Sequence, residues 1–230
     1  METRIPGIEI AEVLHFLGWR GTPLDPSLID QISGLCVRVQ NEIRPFCILR
    51  RFALLDDLFL EGTSFSPGGA DIGRMLRPCG EAVLLAATLG AQSERMLLRE
   101  QARAPESALL LDAVLSAAIE AVCDEQERLL REQLWHDGYY LTDRYSPGYG
   151  DMPIDQTRQI CDVLNTPRTI GLTVSSTGIM LPRKSVTAVM GISRSPVVRR
   201  PAGCEACSAR DTCTMRRNGE ECHGTVHRFA

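Results

Sequence analysis

Glu81-Ala82-Val83-Leu84-Leu85-Ala86-Ala87-Thr88-Leu89-Gly90 is the stretch on which the fold class turns. Its unbroken apolar run, closed by glycine, reads as a buried strand over 81–89. Helical periodicity takes over immediately, with helices expected at 91–103 and 105–135. In the longer one Leu111, Leu115, Ala118, Val122 and Leu129 recur at three-to-four spacing plus a seven-residue step and mark a core face. Asp112, Ser116, Glu120 and Asp124 line another face of the same helix. Strand and long helix together point to an α+β domain in which antiparallel strands pack against long helices.

Upstream, residues 10–17 and 27–43 read as helices, the second opened by Asp25-Pro26-Ser27 and ended by Arg44-Pro45. Segments 46–55 and 57–65 read as extended. Downstream, a Gly/Pro/Tyr-rich loop spans 138–153 and a helix is expected over 154–164. Two strands near 172–181 and 185–192 are expected to join through a turn at Pro182. The five cysteines in this body, Cys36, Cys47, Cys79, Cys123 and Cys161, stand singly in apolar or helical contexts and read as core thiols.

The chain has 230 residues, 44% of them hydrophobic, and a net charge of -4. That is enough apolar material for a core and too little basicity for general nucleic-acid binding. No apolar run approaches the roughly 20 residues of a membrane span. The opening METRIPGIEI lacks the pattern of a signal peptide. A cytoplasmic protein is expected, and the odd cysteine count favours free thiols or metal ligands over a disulfide framework.

Familiar catalytic signatures are missing from the sequence. Gly68-Gly69-Ala70-Asp71-Ile72-Gly73 lacks the spacing of a dinucleotide fingerprint, there is no Walker sequence or HExxH pair, and no serine sits in a nucleophile elbow. Special residues concentrate instead in Asp143-Arg144-Tyr145-Ser146-Pro147-Gly148-Tyr149-Gly150-Asp151-Met152-Pro153. Glycines there permit close backbone approach, prolines stiffen the path, and Arg144 offers a planar fork for a carboxylate or phosphate beside two aromatic rings. A small zwitterionic or cationic ligand suits this set; an ordinary long turn with packed tyrosines is the alternative.

Arg144-Tyr145-Ser146-Pro147-Gly148-Tyr149 resembles the R-x-x-P-G-Y loop of the activation (reactivation) domain of cobalamin-dependent methionine synthase. The similarity continues in order through Asp155-Gln156-Thr157, Ile170-Gly171-Leu172-Thr173, Ser175-Ser176, Met180-Leu181-Pro182 and Ser185-Val186. Upstream it includes Ala118-Ile119-Glu120-Ala121, so that it covers roughly residues 108–193. The resemblance implies a domain over 1–193 that binds S-adenosylmethionine. In it Arg144 would pair with the ligand carboxylate, Glu120 would accept hydrogen bonds from the ammonium or ribose, and the Tyr149 ring would lie near the cationic part. Ser146 and Gly148 would contribute backbone contacts. It further implies reductive methylation of cobalamin carried by a partner, either a methionine synthase or another corrinoid methyltransferase, with an electron donor. Glu120 also has a plainer reading as a solvated acid on an amphipathic helix. The chain departs from the family in having Gly138 where an acid precedes the motif, and Gly191-Ile192-Ser193 where an aromatic pair follows the hairpin.

From Arg194 onward the material changes to seven arginines against four acids, few large apolar residues, and the spacing Cys204-x2-Cys207-x5-Cys213-x8-Cys222. The Cys-x2-Cys step lets two thiolates reach one metal, so residues 194–230 are expected to form a cysteine-rich tail holding zinc or an iron-sulfur cluster. Free thiols in an unstructured tail are the alternative. Two rival functions follow from the tail: a cluster- or zinc-binding electron-transfer or sensor protein acting on a corrinoid protein, and a zinc knuckle reading single-stranded nucleic acid. The acidic body disfavours the second.

Overall fold

The computed structural model describes residues 2–19 and 25–197. The elements in order are α1 (Ile10–Phe16), α2 (Pro26–Glu42), β1 (Phe46–Ala53), α3 (Ala70–Leu76), β2 (Glu81–Thr88), α4 (Ala91–Arg103) and α5 (Pro105–His136). There follow β3 (Tyr140–Leu141), α6 (Gln156–Leu164), α7 (Thr166–Thr169), β4 (Thr173–Val174), β5 (Met180–Leu181) and β6 (Ser185–Ser193). Helix α2 starts where its sequence says: the Asp25 carboxylate accepts from Ser27 N at 2.9 Å and Pro26 occupies the first turn. The backbone leaves the helix at Ile43, before Arg44-Pro45.

Four strands form an antiparallel sheet in the order β1-β2-β6-β3. Strand β2 is central, pairing Leu85 with Ala188 of β6 on one side and with Leu49 of β1 on the other. Its alternate side chains feed two cores. Val83, Leu85 and Ala87 join residues of α1, α2, α4 and α5, whereas Ala82, Leu84 and Ala86 join α3, α6 and the buried Tyr145. Burial on both faces explains why the strand reads as a continuous apolar run rather than an alternating one. The α+β architecture expected from the sequence is the one found.

Several local expectations are corrected. Residues 57–65 hold no extended strand: a 3-10 turn spans Asp56–Leu58, and the segment's one β-bridge is the isolated Leu54–Leu60 pair. The two strands expected around Pro182 do not pair with each other. Residues 172–181 fold instead as a small hairpin of β4 and β5, and β6 leaves it through the cis Leu181–Pro182 peptide to insert between β2 and β3. The helix placed at 154–164 begins at Gln156, and helices α3 and α7 carry no sequence expectation. On α5, Leu111, Leu115, Ala118 and Val122 are buried but Leu129 is 45% exposed. The buried stripe shifts by one residue to Cys123, Leu130 and Leu134, as a straight helix must do along a twisted sheet.

Of the body cysteines, Cys36, Cys47, Cys123 and Cys161 are buried and Cys79 is half-buried. Burial pushes the thiols of Cys47 and Cys79 up to about 11, so both stay protonated near neutrality. Gly191 has no room for a side chain: a Cβ there would meet Cys79 Sγ at 2.5 Å and Leu76 Cδ2 at 2.9 Å, so α3 and its exit fill that space. No helix among the described residues is long and apolar enough to cross a membrane.

Candidate functional site

Residues 143–154 connect β3 to the approach of α6, and three anchors fix their path. Tyr145 bridges the middle of β6 through both backbone bonds, Tyr145 N to Val189 O at 2.9 Å and Val189 N to Tyr145 O at 2.8 Å. Gly148, at φ +91, turns the chain so that its N–H donates to Met152 O at 2.9 Å. Asp151 then reaches the start of α3, accepting from Ala70 N at 2.6 Å and Asp71 N at 3.1 Å. These bonds, from Asp71 first and then Ala70, hold the Asp151 carboxyl below its ordinary range.

The Asp151 anchor carries a pH signature. A carboxyl whose folded pKa is depressed contributes stability that is fully present above its unfolded value, near 4, and is lost as pH falls through the folded value. Asp151→Asn keeps an acceptor but cannot titrate. Its thermal midpoint should fall less steeply than that of the parent protein as pH drops below about 4. Superimposable midpoint-versus-pH curves would show that titration of Asp151 does not contribute to folding stability.

A cavity of about 350 Å³ lies between α5, this loop and the first residues of β6. Glu120, Arg144, Ser146 and Tyr149 all line it, together with Thr157, Met180 and Thr187. Four of the five residues singled out for a ligand therefore meet in one space, although Glu120 and Arg144 lie 24 residues apart on different elements. Gly148 is not in the lining; it shapes the turn, where a Cβ would strike Ile154 Cδ1 at 2.9 Å.

The polar stripe of α5 faces the same region and is engaged along its length. Lys184 Nζ sits 2.9 Å from Asp112 Oδ1 and 2.7 Å from Ser116 Oγ. Arg144 takes the remainder: its Nη2 contacts Asp124 Oδ1 and lies 3.4 Å from Glu120 Oε2, and its Nε lies 3.0 Å from Glu127 Oε2. The fork is thus held by three carboxylates of one helix and does not stand open. Burial raises the Glu120 pKa, Arg144 opposes that rise, and Asp124 and Glu12 add to it.

Glu127 and Thr187 were not singled out by sequence. Glu127 lies seven residues after Glu120, on the same helical face, and that spacing was the available signal. Nothing local marks Thr187. No group of three or more His, Cys, Asp or Glu among the described residues is arranged to hold a metal. The candidate ligands Cys204, Cys207, Cys213 and Cys222 lie outside the described residues.

No family model and no curated protein matches the sequence. Among solved structures, the crystal structure of the MetH reactivation domain bound to AdoHcy matches with a TM-score of 0.62 and 13% identity. The match covers 96% of this chain and 86% of that one. Likeness at that identity is a likeness of fold, and the fold of this chain, an antiparallel four-stranded sheet between layers of helices, is that of the MetH reactivation domain.

Proposed function

We propose that this chain binds S-adenosylmethionine in the Arg144 cavity and presents the methyl group to the reduced corrinoid of a partner protein, a methionine synthase or another corrinoid methyltransferase. The observation that carries this reading is the convergence of Arg144, Glu120 and Tyr149 on one cavity, in a fold whose matched structure holds AdoHcy. A cavity of about 350 Å³ is within the range of small-molecule sites. Its lining offers a guanidinium for a carboxylate, an acid for an ammonium or ribose, and an aromatic ring tolerant of a sulfonium. Tyr149, Ile154, Ile179 and Leu181 stand exposed on or beside the lining segments, an apolar rim suited to a docking partner. Methyl transfer from a sulfonium needs in-line placement and no obligatory proton transfer, so the work of these residues is binding and orientation.

Glu120 gives the direct test. Glu120→Gln keeps the shape and nearly the helix propensity, so folding stability should barely move while S-adenosylmethionine binding weakens. Because its pKa is raised, the parent protein should also lose affinity on acidification from above the usual carboxylate range, as the accepting carboxylate becomes protonated. Titration calorimetry across pH reads both effects. An affinity equal in variant and parent at every pH would return Glu120 to the role of a solvated helix acid.

A further inference from the structure

The three carboxylates on Arg144 are not equivalent. Asp124 is 54% exposed and Glu120 41%, whereas Glu127 is 14% exposed against an Arg144 side chain at 17%. Glu127 is also braced from behind: its Oε1 accepts from Arg131 Nη2 at 2.6 Å, and Arg131 donates in turn to the carbonyls of Leu141 and Thr142. Those carbonyls belong to the backbone that leads into Arg144 itself. The chain Leu141–Arg131–Glu127–Arg144 closes a loop that ties the guanidinium both to α5 and to the backbone at the end of β3.

Nε is the one nitrogen of a guanidinium that an end-on carboxylate pair through the two terminal nitrogens does not use. A carboxylate ion-paired at Nε therefore draws the fork to that side without occupying its end-on face. We infer that Glu127 is a positioning residue for ligand recognition: it orients Arg144 toward the cavity so that the terminal nitrogens receive a carboxylate-bearing ligand, which displaces the exposed Asp124. The inference rests on the S-adenosylmethionine reading of the cavity and adds to it the residue that makes Arg144 selective for a carboxylate.

The test compares S-adenosylmethionine with decarboxylated S-adenosylmethionine, which lacks only the group Arg144 would hold. In Glu127→Gln the affinity for S-adenosylmethionine should fall roughly tenfold, whereas that for the decarboxylated compound should stay within about twofold. Arg131→Gln removes the brace from the far side and should show the same ligand-selective loss in smaller measure; it decides the matter should Glu127→Gln not fold. Equal weakening for both compounds, or no weakening for either, overturns the positioning role. If the parent protein binds S-adenosylmethionine and Arg144→Ala abolishes the preference for it while Glu127→Gln and Arg131→Gln preserve that preference, the positioning role alone falls. A parent protein that binds neither compound removes the ligand reading and the inference together.

Discussion

Arg144→Ala is expected to weaken S-adenosylmethionine binding about tenfold to a hundredfold, since a hydrogen bond to a charged partner contributes roughly 1.5 to 3 kcal/mol. The structure sharpens what should accompany that loss. Arg144 is paired with three acids of α5, and its removal leaves Glu120, Asp124 and Glu127 facing one another across adjacent helical turns. Glu127 keeps Arg131 as a partner and the Asp124 side chain is largely exposed, so the fold should survive the change. Arg144→Lys retains charge without the planar fork and should fall between parent and alanine variant. Isothermal calorimetry on proteins with matching circular dichroism decides the matter. No heat with the parent protein, or equal affinity in the alanine variant, would end the assignment of this cavity to a carboxylate-bearing ligand.

The largest effect on folding is expected at Tyr145. Its side chain is 1% exposed and packs in the core beneath the loop with residues of α3, α6 and β6. Truncating a buried aromatic to alanine costs about 3 to 5 kcal/mol, the lost transfer energy plus the hole left behind. Tyr145→Phe keeps the ring and separates its volume from its hydroxyl. Since the residue on one side of Tyr145 is Arg144 and on the other Ser146, loosening it should also cost ligand affinity at temperatures where the variant remains folded. Urea unfolding of both variants gives the comparison. A loss below about 1 kcal/mol for the alanine variant would mean that the loop is held chiefly by its backbone bridge to Val189.

What the sequence made legible was whatever depends on neighbours along the chain. Strand β2 announced itself because both its faces are buried, and α4 and α5 because their periodicity runs for several turns. The Asp112-to-Asp124 stripe was visible as polarity, although its use was not: Lys184 and Arg144, which engage it at Ser116 and Asp124, lie 68 and 20 residues away along the chain respectively. Helix α3 was missed for a related reason. It is seven residues long, follows two glycines, and has its first amides capped by Asp151, some 80 residues downstream. The segment 57–65 and the β4–β5 hairpin were misread because short extended stretches acquire partners only through tertiary context. Glu127 was passed over because an acid among many on a charged helix gains a role only once the position of Arg144 is known.

The sheet order β1-β2-β6-β3 also bears on how the molecule is made. Strand β6 follows every other strand in the chain yet lies between two of them, and it supplies both neighbours of the site, the bridge to Tyr145 and the cavity wall at Ser185–Thr187. On a ribosome, β1 and β2 can pair as soon as they emerge, but β3 has no edge to join until roughly fifty further residues have been synthesised. Such long-range pairing is intrinsically slow. Until β6 inserts, the inner edge of β2 stays unpaired, and the nascent protein passes through a period in which it offers that edge to any other extended chain.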